Sequence, residues 1–181
     1  IGEIPENCKG IILSGSPYSV RQPDAPNPNL SQIIGKVPLL GVCYGAQLLA
    51  QQHNGEVAAS NTREYGRAML RIVSENVLLK NMSQSSQVWM SHGDSINKLP
   101  EGAQRLCSTD DVVNAGFQLH GSSTFGVQFH PEVYHSTEGS QLLRNFLFEV
   151  SGCSGDWSPG AYVEEKVAEL KSLLKGDKVV L

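Results

Sequence analysis

No apolar run in this 181-residue sequence is long enough to cross a membrane. Lys and Arg are scarce, 14 against 18 Asp and Glu, and the net charge is −4. With no basic run and no stripe of alternating basic and aromatic residues, nucleic acid is not an expected partner. The four cysteines, Cys8, Cys43, Cys107 and Cys153, lack paired spacing. That argues against a disulfide framework and against a structural metal, so no metal site is expected and the setting is a reducing one, the cytoplasm. The length suits one domain with enough apolar content to bury a core.

What the sequence does contain is a cysteine in an unusual setting. Val37-Pro38-Leu39-Leu40 reads as a buried strand, Gly41-Val42-Cys43-Tyr44-Gly45 as a tight turn, and Ala46–Gln52 as a helix. Small residues on both sides of Cys43 permit a strand-to-helix elbow of the kind that presents a nucleophile. A helix N-terminus there would favour the thiolate. On the pentapeptide alone, a small cysteine packed among glycines is an equal reading.

A second motif changes the balance. Phe125–Glu132 reads as a strand that ends in a polar pair, His130-Pro131-Glu132. Pro131 forces His130 to be extended, and residues two apart in an extended segment share a side. Glu132 is therefore placed to hold one imidazole nitrogen while the other takes a proton from Cys43.

With these residues in view, the sequence resembles the class I (triad) glutamine amidotransferases over nearly its whole length. Gly10–Pro17 resembles the family's strand and oxyanion loop, Pro38–Gln47 its nucleophile motif, and Gln128–Val133 its His–Glu motif. Ser19–Pro26, Met90–Asp94 and the tail from Trp157 resemble the GMP synthetase branch in particular.

The resemblance implies glutamine as substrate. Cys43, His130 and Glu132 would be catalytic, and the backbone N–H groups of Gly15, Ser16 and Tyr44 would form the oxyanion hole. Gln47, Ser91 and His92 would bind substrate. Ser16 stands where the family has a second glycine, and serves if its φ and ψ allow. His92 is a rival base, disfavoured because Asp94 would need a turn to reach it. Asp94, Arg21 and Asp24 fit an interface with a partner domain or a plain solvated surface.

The same resemblance implies that residues 1–157 form the amidotransferase domain, with the family's first strand, helix and strand missing ahead of Gly10. Residues 158–181 would be a linker helix and the start of an ATP pyrophosphatase domain of the same full-length chain. That domain would use ATP and magnesium to aminate XMP to GMP, and homodimerisation would run through segments outside this sequence. The amidotransferase domain itself needs no cofactor. Two other readings stay open: an amidotransferase subunit of carbamoyl phosphate or anthranilate synthesis, and a non-catalytic amidotransferase-like module.

The rest of the pattern predicts an α/β fold around a mixed sheet with a small antiparallel side section, and the resemblance implies that this sheet is open, mainly parallel and flavodoxin-like, flanked by helices. Gly10–Ser14 is a strand, and the proline-rich stretch to Pro28 is an ordered loop. Gly55 suits the left-handed cap of the first helix. Ala68, Leu70 and Ile72 share a strand face, Gln87–Met90 is a strand delivering Ser91–Asp94 to a loop, and three short strands follow at 104–108, 114–119 and 124–128. A helix over Glu138–Val150 buries Leu142, Leu143, Phe146, Leu147 and Val150. Ser158-Pro159 opens a helix with apolar residues at Val163, Val167, Leu170 and Leu174, Gly176 stops it, and Lys178–Leu181 starts another strand.

Overall fold

The computed structural model describes residues 3–175. Among these described residues, seven strands form one sheet in the order β1-β2-β7-β6-β5-β3-β4. They are β1 (Ile11–Leu13), β2 (Leu39–Val42), β3 (Glu56–Ile72), β4 (Ser85–Lys98), β5 (Gln104–Ser108), β6 (Gly116–Gln118) and β7 (Thr124–Val127). β1, β2 and β7 run parallel, and every other neighbouring pair is antiparallel. The α/β class holds, with a mixed sheet and flanking helices. Its antiparallel section is larger than the expected side section, because β3 and β4 are long and join the same sheet through β5.

Apolar residues alternate between the two faces, as the two-residue period of a strand requires. On β2, Leu39 joins the core beside α1 (Tyr44–Gln52), with Ile33, Leu49 and Phe117. Leu40 and Val42 face the other core, with Leu70, Met90, Phe129, Leu142 and Phe146. The α1 side packs so closely that the Phe117 ring and Ala46 lie against Gly126, where a Cβ would sit 2.4 Å from Phe117 Cε1.

Several local expectations change. The left-handed residue that ends α1 is Asn54 (φ 63°), not Gly55. The Gly55 N–H donates to Ala50 O at 2.8 Å, the six-to-one bond of a Schellman ending, which puts the left-handed position one residue earlier. Gly55 is needed instead for close approach, since a Cβ there would lie 2.8 Å from both Ala50 O and Lys98 O.

Ser91–Asp94 is not a loop. β4 continues through it, pairing Ser91 with Tyr65 and Asp94 with Ala59. The segment keeps the buried alternation of Val88 and Met90 through His92, Asp94 and Ile96, so polar residues occupy inward strand positions. After α2 (Gly139–Arg144) the chain winds as a π-helix over Asn145–Val150. The wider turn keeps Leu142 and Phe146 inside but leaves Leu147 38% exposed, contrary to the α-helical stripe.

Ser158 caps α3 (Pro159–Leu174) by accepting from the Ala161 N–H at 3.2 Å. No residue of α3 is buried, and its apolar positions Val163, Val167 and Leu170 face solvent. The expected Gly176 stop and Lys178–Leu181 strand lie outside the described residues. Among those described, no helix is long and apolar enough to cross a membrane.

Candidate active site

The elbow is strained at its tip. Cys43 has φ 51° and ψ −105°, outside the comfortable regions for a residue with a side chain, at a cost of about 1–3 kcal/mol. The surroundings enforce it. A Cβ on Gly41 would meet Gly45 C at 2.6 Å, and one on Gly45 would meet Leu13 O at 2.3 Å. Two glycines thus let the start of α1 press onto β2 and β1, and the Cys43 N–H is held by Val127 O at 2.8 Å.

The thiol opens onto a cleft of about 1020 Å³ whose walls include Gly15, Ser16, Tyr65, Ser91, His92 and His130. Gly15 sits between the two reactive groups: a Cβ there would lie 3.3 Å from His130 Cε1 and 3.7 Å from Cys43 Cβ. The imidazole is oriented from behind. His130 Nδ1 donates to Glu132 Oε1 at 2.6 Å, and buried His130 Nε2 has no hydrogen-bond partner. The backbone of His130 is fixed as well, its N–H donating to Trp89 O at 2.9 Å and its O accepting from Ser136 Oγ at 2.6 Å.

Cys43 and His130 share the cleft without being hydrogen-bonded to each other; the thiol donates to Ser91 O at 3.7 Å. Burial pushes the Cys43 thiol up to about 11; a hydrogen bond from the Tyr44 N–H lowers it, and the charge of Glu132 raises it. The helix N-terminus therefore does not produce a resting thiolate, because loss of hydration outweighs it. The Tyr44 amide nonetheless points at the sulfur. Its phenol is turned the other way, donating to Pro26 O and pinning the proline-rich loop to α1.

Gly15 and Ser16 both line the cleft, and Ser16 is not among the residues with positive φ, so no left-handed strain attends a serine there. Gln47 is buried, not an exposed helix residue, and its Nε2 donates to Asp94 O at 2.7 Å. His92 is buried on β4; burial pushes its imidazole below the ordinary value, and His130 adds to this against the pull of Asp94. The Asp94 carboxylate is engaged elsewhere. It accepts from Ser19 Oγ and from Arg21 Nη2, the latter at 2.9 Å. Asp24 is exposed.

Two contributors escape sequence reasoning. Tyr65, on β3, reaches the cleft across β4, and Ser19 joins the Asp94 cluster from 75 residues away. Tyr65 carries no local signal. Ser19 lies in a stretch singled out above, but nothing in the sequence pairs it with Asp94. Among the described residues no group of three His, Cys, Asp or Glu side chains could hold a metal.

An imidazole held by a carboxylate on one side, open on the other and sharing a cleft with a thiol is an arrangement able to support thiol acyl transfer. Comparison with known proteins agrees with the fold. A family model described as glutamine amidotransferase class-I matches residues 2–150. A GMP synthase (glutamine-hydrolysing) of Christiangramia forsetii is 55% identical over 183 residues, covering 99% of this chain and 36% of the relative. The corresponding protein of Bacteroides thetaiotaomicron is 53% identical over 174 residues, 96% of this chain and 34% of that one. This chain thus spans about a third of the length of the curated relatives it matches.

Among solved structures, a glutamine amidotransferase of Thermotoga maritima aligns with a TM-score of 0.51 and 27% identity, covering 74% of this chain and 50% of that one. A Thermoplasma acidophilum protein assigned as a GMP synthase component shares the fold with a TM-score of 0.66 at 24% identity, over 90% of this chain and 78% of that one. The family model covers most of the chain, and so the chain belongs to the class-I glutamine amidotransferases.

Proposed function

We propose that this chain hydrolyses the side-chain amide of glutamine and supplies ammonia to the amination of XMP by a GMP synthase. The observation that carries the proposal is the state of His130: Nδ1 is committed to Glu132 at 2.6 Å while Nε2, buried and unpartnered, lies in the cleft shared with Cys43.

The thiol is neutral at rest, so its proton must leave as it attacks. Rotation about the Cys43 Cα–Cβ bond, releasing Ser91 O, is the movement the proposal asks for. Sγ then bonds to the amide carbon and its proton passes to His130 Nε2, giving an imidazolium stabilised by Glu132. The oxygen of the tetrahedral intermediate takes its hydrogen bonds from the backbone N–H groups of Tyr44, Gly15 and Ser16. As the C–N bond breaks, His130 returns the proton to the departing nitrogen and ammonia leaves. Water, deprotonated by His130, adds to the thioester; its collapse frees glutamate and restores the thiol. Gln47, Ser91 and His92 form the wall against which the substrate lies.

The share of the relatives' length that this chain covers supports a place in a larger enzyme. In this reading residues 1–157 are the glutaminase domain. The solvent-facing apolar stripe of α3 leads, within 158–181, into an ATP pyrophosphatase domain that binds ATP, magnesium and XMP. Four free cysteines fit a cytoplasmic enzyme. The test uses the full-length protein with XMP, ATP and magnesium. GMP should form with either glutamine or ammonium salt, and Cys43→Ala should abolish only the glutamine-dependent reaction. Failure to aminate XMP from ammonium would refute the GMP synthase assignment, and equal loss of both activities in the variant would give Cys43 a structural role.

A further inference from the structure

Asp94 joins three elements around the cleft. Its carboxylate, on β4 and only 7% exposed, accepts from Ser19 Oγ through one oxygen. The other oxygen accepts from Arg21 Nε at 3.2 Å and Nη2 at 2.9 Å. Its carbonyl accepts from Gln47 Nε2, one helical turn beyond the nucleophile, at 2.7 Å. Ser19 and Arg21 belong to the segment that begins with Gly15 and Ser16.

That segment has no regular structure, and the hydrogen bonds within it are local. Tyr18 N–H donates to Ser16 Oγ, Ser19 N–H to Gln22 Oε1, and Arg21 N–H to Ser19 Oγ. Such contacts give a loop shape but not a place. A paired strand does have a place, and Asp94 is where the side chains of this loop reach one. The far end of the stretch is fixed separately, by Tyr44 to Pro26 O and by Gln52 to Pro28 O.

We infer that Asp94 is a positioning residue: by holding Ser19 and Arg21 it sets the Gly15 and Ser16 amides against the Cys43 thiol, while its own backbone steadies Gln47. The inference rests on the glutaminase reading for its effect on turnover, and on hydrogen bonding alone for the tie itself. Donors aimed at an oxyanion must be held to a fraction of an ångström, and they matter most once the oxygen has become negative. Loosening the loop therefore lowers kcat and leaves KM almost unmoved. Direct contact between Asp94 and the bound amino acid would do the reverse.

The experiment uses the full-length protein as wild type, Asp94→Asn, Arg21→Gln and the double variant. Arg21 is 47% exposed and its replacement leaves the core untouched, so it carries the test even where Asp94→Asn folds poorly. Glutamate release should fall about tenfold or more in kcat for Asp94→Asn, and by a smaller factor for Arg21→Gln, each with KM within about twofold of wild type. The double variant should be no slower than Asp94→Asn alone, because both changes cut one tie. Alkylation of Cys43 by iodoacetamide, a displacement at saturated carbon that forms no oxyanion, should keep its rate. Amide hydrogen exchange across residues 15–22 should accelerate.

A raised KM at unchanged kcat, additive losses in the double variant, or unaltered exchange would overturn the inference. Accelerated exchange in a protein whose wild type releases no glutamate would support the tie and refute the glutaminase reading instead.

Discussion

Glu132 Oε1 lies 2.6 Å from His130 Nδ1, two residues away, and the two meet where the chain turns at Pro131 and Glu132 beyond the end of β7, not along the extended strand expected from the sequence. The carboxylate can only accept, so the imidazole carries its proton on Nδ1 and presents Nε2 as a base. Replacing Glu132 with Gln keeps the size but removes the charge that stabilises the imidazolium. Turnover of glutamine should drop about a hundredfold or more with little change in KM, measured as glutamate release at saturating substrate. A change confined to KM would place Glu132 on the substrate.

The same substitution should speed a different reaction. Burial first, and the Glu132 charge in addition, hold the Cys43 thiol at about 11. A nearby negative charge opposes ionisation, so removing it lowers the thiol's pKa and raises the thiolate fraction at any pH below it. Iodoacetamide should label Cys43 in the wild-type protein at a rate that climbs about tenfold per pH unit from neutrality to beyond pH 9. In Glu132→Gln it should label faster at pH 8 than in wild type. Labelling that levels off below pH 8 would show a resting thiolate and contradict the burial argument.

Glycines near the cleft separate activity from stability. Gly15→Ala puts a methyl 3.3 Å from His130 Cε1, a contact the ring can relieve by a small shift. The fold should persist while kcat falls about tenfold, since the displaced groups are those the reaction aligns. Gly45→Ala puts its methyl 2.3 Å from Leu13 O, a backbone atom that cannot yield without moving β1. That variant should lose about 1–3 kcal/mol or more of stability in denaturant unfolding. A stable Gly45→Ala protein would mean that α1 is not pressed onto the sheet as described.

Much of this architecture is legible in the residue order because it is local. The β5 boundaries, the elbow before α1 and the Ser158 cap follow from alternation, small residues and capping chemistry within a few positions. What is not legible is set by partners far away in sequence. Ser91–Asp94 looks like a loop because it is polar, yet pairing with β3 draws it into a strand and gives the cleft an inward-facing His92 and Asp94. Arg21 and Asp94 look like surface charges until the fold brings them together. Leu147 belongs to a buried stripe at 3.6 residues per turn and leaves it when the winding widens over Asn145–Val150. The helix dipole at Cys43 is readable, whereas the burial that overrides it belongs to the packed state alone.

The central claim is that the sulfur of Cys43 bonds to the carbon of the glutamine amide. Its most direct test is the rate of glutamate formation by the full-length protein carrying Cys43→Ala, followed at saturating glutamine beside the wild type. The variant's rate should be lower by about a thousandfold or more. A rate within a few-fold of wild type would show that the amide is cleaved without this thiol.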